Sequence, residues 1–359
     1  MKLRSSRGDR GAAVRTMSST AGWMRGLCLL FAVGAAGAGA ASPRPDPFVP
    51  RPFPHESGGR PLGEGIAYGP HRDGQRPGEA SPSKGEVRED LRMMAERWSL
   101  VRLYGSVGPA DSILEVLRAE RLPMKALLGV WIAPEDARDS TGRVVERFPE
   151  AEAANRAEVE SAVRLAAAYP GLVAALCVGN ETQVFWSSHR VPAPLLAGYV
   201  RELRARTSVP ITVADDYLFW NTPASADLAA EIDFIVAHFH PLWAGQTNDG
   251  SLDWTRKAYD EVRARHSARL VVIGETGWAT GKLSTGEQGT LMKGRVGEEE
   301  QAAYCDALAS WANERGVLTF LFEAFDENWK GGPEPGDAEK HWGLYRADRT
   351  PKRVLAARR

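Results

Sequence analysis

Between residues 65 and 327 the chain alternates short apolar runs with longer amphipathic stretches. The runs are "GIAYGP" (65–70), "LVRLYGS" (100–106), "KALLGVWI" (125–132) and "VAALCVGNE" (173–181), followed by "ITVADDY" (211–217), "FIVAHFHP" (234–241), "LVVIGETGW" (270–278) and "TFLFEAFDE" (319–327). Each has the length of a buried strand, and the segments between have helix lengths and helix endings. "SKGEVREDLRMMAERW" places Val87, Leu91 and Met94 on one face, and "EEEQAAYCDALASWANERG" opens on acids that complement a helix dipole and closes on Gly316. Eight such alternations predict an α/β fold, a single-domain (β/α)8 TIM barrel over residues 65–359, slightly longer than the roughly 250 residues typical of that architecture. A doubly wound open sheet is the structural rival, but "GIAYGPHRDGQ" lacks the G-x-G-x-x-G spacing expected after its first strand.

The first 64 residues do not share this pattern. Lys2, Arg4, Arg7, Arg10 and Arg15 precede "MRGLCLLFAVGAAGAGA", whose apolar part, Leu27 to Ala38, is shorter than the roughly 20 residues a spanning helix needs. Ala38-Gly39-Ala40 offers a cleavage site, so residues 1–40 read as a signal peptide and the protein as exported, periplasmic or secreted. An uncleaved membrane anchor is the alternative and the one expected route to membrane contact; the basic stretch before Met24 also fits a misassigned start. Residues 41–64 carry seven prolines and no apolar period, which predicts an extended linker with folded structure beginning near Gly65.

Charge narrows the partners. Without the leader, 39 basic residues face 45 acidic ones, and a net charge of −6 argues against nucleic acid. A monomer is expected. Cys28 leaves with the leader. If Glu181 points into the barrel, strand alternation sends Gly179, Cys177 and Ala175 inward with it, while Cys305 lies on an outer helix, so no disulfide is expected.

In a barrel of this kind chemistry gathers at the C-terminal strand ends. Those ends carry Tyr68, Tyr104, Asn180 and Glu181, then Asp215, Asp216, Tyr217, His238 and His240, with Trp243 just beyond. The last two strands add Glu275, Trp278, Glu323, Asp326 and Glu327. An acidic and aromatic rim suits sugar: carboxylates and amides bond hydroxyls, and flat rings cover the C–H faces of a pyranose. A phosphate ligand would require basic groups or a glycine nest instead. Two glutamates facing across one mouth can divide glycoside cleavage, one protonating the departing oxygen and one staying ionised. The His-x-His pair on strand six raises a catalytic metal as an alternative, but its first shell would have to be completed by carboxylates; no metal and no cofactor are expected. His240 is assigned a hydrogen-bonding role and His238 a packing one. "NET" at 180–182 is a nominal glycosylation sequon inside the proposed site.

"VGNE" on strand four with "GETGW" on strand seven resembles glycoside hydrolase family 17, a retaining family built on (β/α)8 barrels. "GIAYGP", "VRLYG", "FEAFDENWK" and "EKHWGLY" (339–345) agree with it, so the resemblance spans residues 61–350 and is closer to the bacterial branch. It implies that Glu181 is the acid/base, Glu275 the nucleophile, Asn180 the partner of the 2-hydroxyl, and Tyr104 a neighbour of the nucleophile. It also implies that Glu327, Lys330 and Glu339 form a cluster beside the cleaved bond. Strand six departs from the tyrosine-rich plant pattern, which assigns His240 and Trp243 to a different set of sugar contacts; Tyr68, Trp278 and Glu323 complete the expected binding residues. The expected activity is retaining hydrolysis of β-1,3-glucan, with transglycosylation by the same residues or a catalytically inactive carbohydrate-binding protein as alternatives.

Overall fold

The computed structural model describes residues 48–54, 56–57, 60–61 and 64–356. The predicted signal peptide lies outside the described residues, as does the start of the linker. All eight predicted strands form: β1 (Gly65–Ala67), β2 (Leu100–Arg102), β3 (Lys125–Val130), β4 (Val173–Asn180), β5 (Ile211–Asp216), β6 (Phe234–His238), β7 (Val271–Thr276) and β8 (Thr319–Leu321). They pair in parallel and in chain order, and β8 closes on β1 with Phe320 opposite Gly65 and Leu321 opposite Ile66. A closed parallel sheet has no free edge and needs a crossover between successive strands, which the amphipathic segments supply as helices.

The helix signals read from the sequence have visible causes. Helix Lys84–Ala95 starts with a reciprocal cap, Ser83 Oγ accepting from Glu86 N at 3.3 Å and Glu86 Oε2 accepting from Ser83 N at 2.7 Å. It buries Val87, Leu91 and Met94 as expected, together with Asp90, whose carboxylate is held by Arg349, Arg72 and the Tyr68 hydroxyl. Helix Glu298–Arg315 ends on Gly316, whose φ of 64° is open to glycine at little cost.

Two layers of core fix the mouth. Inside the barrel, Leu100, Leu127, Ala175, Cys177, Phe234, Val236, Val272 and Phe320 pack together, and the larger cluster lies between strands and helices. The inner layer includes Phe53, which is buried and lies 4.6 Å from the Phe234 ring. Beside it Arg51 N donates to Asp233 Oδ1 at 2.6 Å, and its guanidinium donates to Val209 O and Arg204 O at 2.9 and 2.8 Å. Residues 48–54 therefore seal the N-terminal end of the barrel, and ordered packing begins before Gly65. Proline density hid this, because the apolar anchor there is essentially one phenylalanine. A short antiparallel hairpin, Asp136–Arg138 with Val144–Arg147, was also not foreseen; it is polar and leaves little apolar alternation to read.

Strand alternation breaks where the chemistry is. Ala175 and Cys177 face inward, but β4 slips against β5 between Cys177 and Asn180, and Gly179 has φ 71°. A Cβ on Gly179 would press on Leu196 and Thr182 at 3.0 Å, on the helix side, so Gly179 does not share the inward face. Glu181, with φ 51°, follows this bulge. Cys177 and Cys305 are both buried and are not joined.

Candidate active site

Leu100, Arg102 and Tyr104 lie on one face of β2 and its extension, so the residue after the inner core layer is a buried guanidinium. It donates to Glu275 Oε1 from Nη1 and to Asn180 Oδ1 from Nη2 at 2.6 Å, tying the ends of β2, β4 and β7 together. Tyr104 donates its hydroxyl to Glu275 Oε1 at 3.0 Å. His240 Nε2 lies 3.2 Å from Glu275 Oε2, its ring held edge-on between Phe322 and Trp342 at 5.4 Å from each. His238 Nδ1 lies 2.8 Å from Glu181 Oε1. Gly274 makes this possible: a Cβ there would fall 2.1 Å from Val236 and 3.2 Å from the His238 ring.

These contacts push the two carboxyls apart in acidity. Burial, and then the charge of Glu275, raises Glu181 to about 7. At Glu275 burial opposes ionisation, but the Arg102 guanidinium and the His240 hydrogen bond outweigh it and hold the carboxyl well below its ordinary range. Below about pH 7 one member thus keeps its proton while the other is anionic, the division that acid-and-nucleophile chemistry requires.

An oxygen of each glutamate and a nitrogen of His240 lie within 4.8 Å of one another, a set that could also meet a cation. Both Glu275 oxygens are already engaged, however, and the guanidinium on Oε1 supplies the positive charge that a metal would bring. The donor chemistry fits a carboxylate pair better than a metal centre.

Around the pair, Lys330 Nζ bridges Glu323 Oε2 at 2.6 Å and Glu327 Oε2 at 2.7 Å. Burial pushes Glu323 well up against the pull of Lys330, whereas at Glu327 Lys330 outweighs burial and holds the carboxyl down. Trp243 Nε1 donates to Glu339 Oε1 at 3.1 Å. Tyr104 and His240 therefore bond Glu275 directly, Asn180 joins it through Arg102, and Glu181 lies beside it with one oxygen on His238; the Glu323–Glu327–Lys330 and Trp243–Glu339 groups each form as units.

Two predicted contacts are corrected. Tyr68 is buried, its hydroxyl donating to Asp90 Oδ2 at 3.0 Å and its ring packed edge-on against Phe325, so it supports a helix and not a sugar. Trp278 is likewise buried, with Nε1 donating to Arg295 O at 2.8 Å and its ring against Tyr304. Asp215 accepts from the backbone N–H groups of Gln183, Val184 and Asp216, and Asp326 from Lys352 and Gly343 N; both hold loops in place. Asp216 caps the helix Tyr217–Trp220 and, through burial and the Glu181 charge, sits at about 7.

Sequence reasoning missed Arg102 and the direct contact of His238 with Glu181. It also missed the aromatics that are open at the mouth: Trp131, Phe185 and Trp329, exposed to 36%, 73% and 37%, follow β3, β4 and β8. Trp131 lies 5.2 Å from the His189 ring, and His189 Nε2 donates to Asn180 O at 2.8 Å.

Residues 65–343 match the BtgE/BtgC glycoside hydrolase domain. The chain belongs to this family. A glucan 1,3-beta-glucosidase of Arthroderma benhamiae is 26% identical over 296 residues, covering 77% of this chain and 86% of that protein. A putative glucan endo-1,3-beta-glucosidase, btgC, of Aspergillus niger is 26% identical over 76% of the chain, which spans 40% of that protein's length. Among solved structures, an endo-laminarinase from Formosa superposes with a TM-score of 0.71 at 25% identity, over 82% of this chain and 86% of that one. A glycoside hydrolase family 17 β-1,3-glucanosyltransferase from Rhizomucor miehei shares the fold with a TM-score of 0.64 at 23% identity, over 82% and 96%. The BtgE/BtgC assignment bears out the resemblance to family 17 and the (β/α)8 expectation.

Proposed function

We propose that this BtgE/BtgC domain cleaves β-1,3-glucosidic bonds with retention of anomeric configuration, through a glycosyl ester on Glu275. The observation that carries the reading is the pair itself: one oxygen of Glu181 and one of Glu275 within 4.8 Å, the first group raised to about 7 and the second held well below its ordinary range. Carboxyls about 5 to 5.5 Å apart leave no room for an intervening water and favour direct attack, whereas inversion needs about 6.5 to 9.5 Å. Glu181 then protonates the leaving oxygen and, in the second step, deprotonates the incoming hydroxyl. The names of the Arthroderma and Aspergillus relatives support β-1,3-glucan as substrate. Asn180, fixed by Arg102, is suited to hold the 2-hydroxyl, and Trp131, Phe185 and Trp329 are suited to cover sugar faces on either side of the pair. Export directed by residues 1–40 belongs to the same proposal, supported by the order of basic, apolar and small residues in the leader.

Laminari-oligosaccharides test the reading. Shorter products alone indicate hydrolysis, longer products in addition indicate transfer to a sugar hydroxyl, and unchanged substrate overturns the proposal. A second outcome concerns pH. The acid must be protonated to act, so kcat/KM is expected to fall as pH rises through about 7, by roughly tenfold per unit, while Glu275 stays ionised far below that point. A pH–rate profile that is flat from 6 to 9 would contradict this assignment of the acid.

A further inference from the structure

His238 is completely buried, and its two nitrogens face the two glutamates. Nδ1 is 2.8 Å from Glu181 Oε1; Nε2 makes no hydrogen bond and lies 3.6 Å from Glu275 Oε1, an oxygen already taken by Arg102 and Tyr104. Charged and titratable groups reach the ring from every neighbouring element: Arg102 on β2, Glu181 after β4, Asp216 on β5, His240 beyond its own strand and Glu275 on β7. Burial dominates among them and holds the imidazole at about 3, hence neutral and with a single N–H.

That single proton has two possible seats with opposite consequences. On Nδ1 it is donated to Glu181 Oε1, and the acid's own proton must then reside on Oε2. On Nε2 it would lie beyond hydrogen-bond distance of Glu275, Nδ1 would become an acceptor, and the acid proton would be drawn to Oε1, aimed at the ring and away from any substrate. We propose that His238 is a positioning residue that donates Nδ1–H to Oε1 of Glu181 and so confines the acid's proton to Oε2, the oxygen free to face the leaving group. This deepens the retaining-hydrolase reading and rests on it. In the first step the Oε2 proton passes to the glycosidic oxygen, which also takes the electron pair of the breaking C1–O bond, while a Glu275 oxygen forms the new bond to C1. In the second, water or a sugar hydroxyl attacks C1, its proton returns to Oε2, and Glu275 leaves as carboxylate. His238 keeps its proton throughout.

Two measurements test this. The tautomer in the resting protein is read from the side-chain ¹⁵N shifts of His238, assigned by their disappearance in His238→Asn. An Nδ1–H form is expected; an Nε2–H form overturns the proposal, whatever the substrate proves to be. The second compares His238→Leu, His238→Asn and His238→Gln on laminaritetraose and on 2,4-dinitrophenyl β-laminaribioside, whose leaving group needs no acid. Asparagine can place an amide N–H near the Nδ1 position, whereas glutamine reaches toward Nε2. The leucine variant is expected to lose on the order of 100-fold in kcat/KM on laminaritetraose, at least tenfold more than on the aryl glycoside. Its alkaline limb should move to higher pH, since a carboxylate deprived of a donor is less stable. Asparagine should recover most of the loss and glutamine should not. Equal losses on both substrates with an unmoved limb indicate packing only, and rescue by glutamine alone would assign the role to Nε2; either overturns the inference. Wild-type inactivity on both glycosides would instead sink the functional reading, and the tautomer measurement would still decide the hydrogen bond.

Discussion

Glu275→Ala is expected to abolish turnover of laminarin, with kcat falling by at least on the order of 10⁴-fold. In the proposed mechanism attack by the carboxylate divides one difficult displacement into two easier ones, and no neighbouring group can take its place: His240 is its hydrogen-bond partner, His238 is bonded to Glu181, and Tyr104 is a phenol whose ionisation burial strongly disfavours. The same substitution leaves the buried Arg102 without its principal counter-charge, and a buried ion robbed of its partner typically costs about 3–5 kcal/mol. Loss of fold must therefore be separated from loss of chemistry. Glu275→Gln keeps the volume and an acceptor oxygen for Arg102 and Tyr104, so it should melt nearer to wild type while remaining as inactive. Azide added to the alanine variant has space to attack an activated β-glucosyl donor from the vacated side, and the expected product is the α-glucosyl azide. Residual kcat above about a tenth of wild type would remove Glu275 from the role, because a covalent nucleophile contributes far more than tenfold.

How much of this was legible without coordinates follows from the physics of each residue. Strands of a parallel barrel are buried on both faces, so all eight announced themselves as apolar runs, and a carboxylate ending such a run is unusual enough to be noticed. Rim membership was harder. Strand-end position selected Tyr68 and Trp278, yet Tyr68 donates to Asp90 on helix Lys84–Ala95, while Trp278 packs on Tyr304 of helix Glu298–Arg315 and donates to Arg295 O in the loop before it. Arg102 had a usable signal: a charge two residues after Leu100 in "LVRLYGS" shares its inward face and cannot be buried without a partner. The two glutamates themselves could not have been placed by counting in twos. Pairing slips between Cys177 and Asn180 on β4 and between Ile273 and Thr276 on β7, so Glu181 follows and Glu275 lies within a register irregularity that no alternation of apolar residues reveals. Gly179 and Gly274 mark these places, the first by its left-handed backbone and the second by leaving room for His238.

Glu181→Ala should produce a different deficit from Glu275→Ala, and the difference distinguishes retention from inversion. On laminarin both steps need the residue, first as acid and then as base, so kcat/KM is expected to fall by about 10²- to 10⁴-fold. On a 2,4-dinitrophenyl glycoside the first step no longer needs an acid. The glycosyl ester on Glu275 then accumulates, giving a burst of dinitrophenol followed by slow turnover. Azide, which carries its own negative charge and requires no base, should fill the space left by the side chain, attack the ester from the side that Glu181 occupied, and restore turnover with a β-glucosyl azide as product. An inverting enzyme has no ester to intercept. It would show no burst, and azide acting from the general-base side would yield the α-product. The burst, together with β-azide from this variant and α-azide from the Glu275 variant, is the outcome expected of two carboxyls whose facing oxygens lie within 4.8 Å, acting on opposite faces of one sugar ring.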